Sequence, residues 1–187
     1  VPHVERISNE LMRVFLVLEM RNHFQKAEEV LRALRQIDHC GIDALETKYV
    51  QALLSKEVVD RVYQMIVSGM CPSLLKPDLM PTSIRDNVAT WVIRTSKTYA
   101  EALDRLEPFL RLLSASERSQ FQRRCKDHFY QHYVQEKKVL DAFHVLMDIF
   151  VIPQMDLWGQ LMAVACDVNQ DQQLLSHLLT KQELQEN

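Results

Sequence analysis

Apolar residues recur every third or fourth position along nearly the whole chain, the spacing of one face of an α-helix. Ile7, Leu11, Phe15 and Leu18 predict a first helix, and Phe24, Ala27, Val30, Leu31, Leu34 and Ile37 a second. The stretch His39–Asp43 interrupts the pattern, with Gly41 read as a helix stop. A third helix is predicted near Ala44–Ser55. A fourth carries Val58, Val59, Val62, Tyr63 and Ile66 and ends at Gly69.

The segment 69–82, GMCPSLLKPDLMPT, is the main irregular stretch, because Pro72, Pro77 and Pro81 break any long helix. It is too apolar for a loose linker, so Leu74, Leu75, Leu79 and Met80 are expected to pack down. Ser83 is read as the N-cap of a helix through Trp91. Ser96–Leu113 follows, with a kink or break expected at Pro108. Ser114-Ala-Ser-Glu117 signals another start, for a helix reaching about Val134. Val139, Leu140, Phe143, Leu146 and Phe150 mark the next, which stops before Pro153. Met155–Cys166 and Gln172–Glu186 complete the chain, the last carrying Leu174, Leu175, Leu178 and Leu179. No period-2 strand emerges. The expected fold is all-α, about eight to ten helices stacked as antiparallel pairs, with a short helical-repeat solenoid as one form of that stack. It is read as a single domain over 1–187, with sub-units 1–70 and 83–187 joined by the packed segment 69–82.

Paired helices raise the question of a repeat. Residues 57–72 align with 138–153 at an offset of 81, matching Val58 with Val139, Asp60 with Asp141, Met65 with Leu146 and Pro72 with Pro153. Phe24-Gln-Lys-Ala27-Glu-Glu-Val30-Leu31 and Tyr99-Ala-Glu-Ala102-Leu103 follow a similar pattern. These lines resemble the second helices of tetratricopeptide and pentatricopeptide repeats, Asp141–Trp158 most closely. About half the chain takes part, and a regular 34- or 35-residue spacing is not kept. The resemblance implies stacked helix pairs offering a binding surface and, on the pentatricopeptide side, RNA bound along one face.

Composition excludes several classes. Only three glycines, Gly41, Gly69 and Gly159, occur in 187 residues, which rules out the clustered glycines of a Rossmann or P-loop site. A net charge of -3 predicts no general attraction to nucleic acid or acidic membranes. No apolar run is long enough to cross a bilayer, and VPHVERISNE lacks the features of a signal peptide. The absence of an initiator Met suggests a segment of a longer protein. Cys40, Cys71, Cys125 and Cys166 are far apart and form no CxxC pair, so intracellular, reduced cysteines are expected, nuclear or cytoplasmic alike.

The stretch CKDHFYQHY is the foremost candidate for chemistry. Cys125, His128 and His132 fall within about 60° on a helix, and zinc accepts thiolate and imidazole. No fourth ligand and no general-base Glu accompany them, so the favoured reading keeps Cys125 and one His half-buried and the other His solvated, with no metal. The same region holds Arg118, Arg123, Arg124, Lys126, Lys137 and Lys138 with Tyr130 among them. Basic and aromatic side chains together suit single-stranded nucleic acid, by phosphate neutralisation and base stacking. Glu117, Asp127, Glu136 and Asp141 dilute that charge, and Phe129 and Tyr133 lie at the i, i+4 spacing of a core stripe.

Asp38-His39-Cys40 gathers reactive types, but adjacent loop side chains diverge. Glu28 and Glu29 read as ordinary exposed helix charges. Trp91 and Trp158 read as core, and Gly159 as a place for a neighbouring helix to approach closely. No nucleophile–base pair or spaced carboxylate pair supports an enzyme, and no cofactor is expected. The expected function is a non-catalytic protein–protein interaction domain of a larger protein or complex, a scaffold or adaptor. RNA or single-stranded DNA binding through residues 118–138 is the alternative. The partner's identity and contact residues are not assigned.

Overall fold

A computed structural model describes residues 2–76, 82–148 and 155–185. The chain is all-α, and among the described residues there are ten helices and no strand. They are α1 (Pro2–Met20), α2 (Phe24–Gln36), α3 (Ile42–Ser55), α4 (Val59–Val67), α5 (Thr82–Thr95), α6 (Tyr99–Leu110), α7 (Ala115–Gln135), α8 (Val139–Met147), α9 (Met155–Asp167) and α10 (Asp171–Gln185), with a 3-10 turn over Pro72–Leu75. Two compact units divide them, Val1–Trp91 and Val92–Asn187, the boundary lying within α5.

One local device reverses the chain at helix after helix. At the end of α7, Lys137 takes a left-handed backbone with φ of 58°. The Lys138 N–H then donates to the Tyr133 carbonyl at 2.8 Å, and the Lys137 N–H to Val134 at 3.1 Å. That pair of bonds is a Schellman cap, which satisfies carbonyls a helix end would otherwise leave bare. Asn22, Glu57 and Asn169 occupy the same place after α1, α3 and α9, each with its own pair of bonds. Asp38 and Gly69 close α2 and α4 likewise, at φ of 52° and 69°. Gly69 therefore ends its helix as expected. Gly41, also left-handed, is the N-cap of α3 rather than the stop of α2.

The helices α2, α4, α6, α8 and α10 begin at residues 24, 59, 99, 139 and 171. In each, the fourth residue is fully buried: Ala27, Val62, Ala102, Ala142 and Leu174. The buried sets Val62, Tyr63, Met65, Ile66 and Ala142, Phe143, Val145, Leu146 correspond at an offset of 80. Letter matching had put it at 81. One residue rotates a helix by about 100°, so burial corrects the register.

In the first unit α1 pairs with α2, and α3 bridges α2, α4 and the 3-10 turn. Phe15 meets Tyr49 edge-on at 5.6 Å inside it. Glu28 is not the exposed charge its helix position suggested: it is buried and accepts two bonds from Arg61, at 2.9 and 2.7 Å, tying α4 to α2. Glu46 of α3 is only 1% exposed. It accepts from Arg35 at 2.6 and 2.8 Å and from Ser73 at 2.6 Å, which locks α2, α3 and the 3-10 turn together. Leu74 is fully buried in that turn; Leu79 and Met80 lie outside the described residues. Ser83 sits inside α5, which starts at Thr82, so it is no N-cap.

In the second unit, Phe121, Cys125, Phe129 and Tyr133 form an i, i+4 row along α7, all buried. The row meets α6 through Phe109–Phe121 at 5.9 Å and Tyr99–Phe129 at 6.0 Å. Each buried ring contributes roughly 1.5–3 kcal/mol by area alone. Ser114 caps α7, its Oγ accepting from the Glu117 N–H at 3.3 Å. Thr98 caps α6 in the same way at 3.1 Å, a Thr-x-x-Glu signal that periodicity alone passed over. Pro108 does not break α6, which runs on through it to Leu110. Trp158 packs edge-on to Phe143 at 5.8 Å. A Cβ on Gly159 would meet nothing within 4 Å, so the expected close approach is absent. Phe150 and Pro153 lie outside the described residues.

Two expectations follow. A left-handed lysine costs roughly 1–2 kcal/mol relative to a relaxed residue, so Lys137→Gly should stabilise the protein by about 0.5–1 kcal/mol once glycine's extra chain entropy is deducted. Urea unfolding would measure this, and Lys137→Val should change stability in the opposite sense. The Asp43 carboxyl is held below its ordinary range, first by the Arg35 hydrogen bond and then by Lys76, with burial opposing. Its folded value is depressed, so its contribution is complete above about pH 4 and is lost as pH falls through the folded value. Melting temperatures of wild type and Asp43→Asn should therefore differ at neutral pH and converge in acid.

Candidate functional site

The α7 residues at i, i+3 and i+7 share a helix but not an environment. Cys125 lies in the aromatic row with no solvent exposure, and burial pushes its thiol up to about 11. That disfavours the thiolate that would ligate a metal or act as a nucleophile. His128 is exposed and His132 half-buried, their rings parallel with centroids 6.4 Å apart. The imidazole of His128 is held below its usual range by partial burial first, then by the charges of His132 and Arg94. Among the described residues no group of three His, Cys, Asp or Glu is placed to hold a metal ion.

The basic side chains of the same region are dispersed and mostly occupied. Arg118 donates to the Leu110 and Leu113 carbonyls at 3.3 and 3.5 Å, capping the end of α6. Lys126 donates to the Asp148 carbonyl at 2.9 Å. The Arg124 guanidinium lies 5.4 Å from the Phe121 ring centroid, and Lys138 lies 3.6 Å from Glu136. Arg123 and Lys137 are exposed. Tyr130 is buried and donates to the Leu157 carbonyl at 2.6 Å, linking α7 to α9. Its burial raises the phenol to about 12. Phe129 and Tyr133 are buried beside it, so none of the three rings offers a face for base stacking.

His39 of the Asp38-His39-Cys40 run is hydrogen-bonded through Nδ1 to the Ser8 hydroxyl, joining α1 to the turn after α2. A groove of about 380 Å³ lies there, lined by Val4, Glu5, Ser8, Asn9 and Ile37 to Cys40. A second groove, of about 280 Å³, runs between α2 and α4, where Glu28, Arg32, Arg61, Met65 and Met70 line it.

The outer surface of α1 is the feature that periodicity concealed. Phe15 and Ser8 are buried, while Leu11, Met12 and Leu18 are half-buried. Val4, Ile7, Val14, Leu16, Val17 and Met20 stand exposed instead, Val17 at 50% and Met20 at 83%. Eight of the nine large hydrophobic side chains exposed among the described residues lie on α1 or on α10, the latter contributing Leu175 and Leu179. Scattered exposed apolar residues are ordinary, but a clustered patch marks an interaction surface. The sequence carried this signal: α1 has ten apolar residues of V, I, L, M and F type over 4–20, more than one buried stripe can absorb.

No protein family, curated protein or solved structure matches the chain. No helix among the described residues is long and apolar enough to cross a membrane.

Thiol reactivity follows the same division of environments. Cys40 and Cys166 are exposed, whereas Cys71 and Cys125 are buried, and all four are free. A thiol reagent should modify two cysteines rapidly in the native protein and the other two only on unfolding. Rapid modification of Cys125, read by peptide mass spectrometry, would contradict its place in the aromatic row.

Proposed function

We propose that the chain is a non-catalytic protein–protein interaction domain, a scaffold or adaptor, whose docking surface is the outer face of α1. The observation that carries this reading is the exposed set Ile7, Val14, Val17 and Met20. Placed on a helical wheel, these four lie within about 80° of Val17, on the side opposite Phe15 and Ser8. An amphipathic helix laid along such a stripe buries apolar area at i, i+3, i+4 and i+7 anchors. Arg6, Arg13 and Arg21 fall on the same side, with Glu10 the one carboxylate among them. Arg13 is ion-paired to Glu10 at 3.1 Å. Arg6, Glu10 and Arg13 lie within about 40° of Val17, interleaved with the apolar side chains, so the face is a mixed one that joins apolar contact to charge.

The nucleic-acid alternative has less support. Its aromatic residues are buried, and Arg118, Lys126 and Lys138 already have partners within the chain. Arg123 and Lys137 are the exposed residue pair on which that alternative now rests.

The test is a pair of substitutions at exposed positions, Val14→Glu with Val17→Glu. Circular dichroism should show the same helix content and melting temperature as wild type, because neither side chain is in the core. A partner captured by the wild-type protein should be lost, with affinity at least about 30-fold lower, about 2 kcal/mol. Undiminished capture by the double variant would remove α1 as the docking surface.

A further inference from the structure

We draw no further inference here: the strongest candidate, the exposed apolar face of α1 together with the leucine pair Leu175 and Leu179 on α10, carries nothing further because nothing in the structure shows what covers it.

Discussion

Everything in this chain depends on reversing direction within three residues without leaving helix carbonyls bare. A left-handed residue after the helix lets two N–H groups fold back onto the last turn, and the next helix leaves antiparallel and already in contact. Asn22, Glu57, Lys137 and Asn169 do this at four hairpins. None of the four is glycine, and Glu57 and Lys137, unlike the two asparagines, are residue types that visit this backbone region at a cost. The small or compact residue at the fourth place of the following helix completes the device. Ala27, Val62 and Ala142 let the two backbones lie close enough for the apolar rows to mesh.

Within that frame, buried polar side chains hold helices to one another. Glu28–Arg61 and Glu46–Arg35–Ser73 are buried or half-buried links that join helices distant in sequence. Buried carboxylates are costly unless partnered, and each of these has an arginine against it. The tyrosines act similarly: Tyr133 accepts from the Tyr99 N–H at 2.9 Å, and Tyr130 donates to Leu157. The most suggestive sequence cluster, CKDHFYQHY, is consumed by this role, with its sulfur and its aromatic rings inside and its imidazoles outside.

What remains uncommitted is apolar surface on the first and last helices. Among the described residues, helices α2 to α9 expose no large hydrophobic side chain, whereas α1 has more apolar face than α2 covers. Removing such surface from water is favourable, which is why a clustered apolar patch suits a docking role.

The helical class, the helix count and several helix boundaries were legible in the sequence, because three-to-four periodicity, Gly69 and the Ser114 cap act over a few residues; the ends of α5 and α6 were misplaced by three or four residues. The cores of α7 and α8 were legible for the same reason. Identical letters align Val58 with Val139 at an offset of 81, whereas the buried sets of α4 and α8 match at 80, a pattern that only packing reveals. Glu28 looked like a solvated helix charge; its arginine comes from another helix, a relation no local spacing encodes. Cys125 and His128 were neighbours on a helical wheel, yet the wheel does not say which side faces α6. The sequence by itself determined which segments are helices and which stripe of each is apolar. Tertiary structure alone decided which stripes are covered, because burial depends on the partner helix and not on the helix itself.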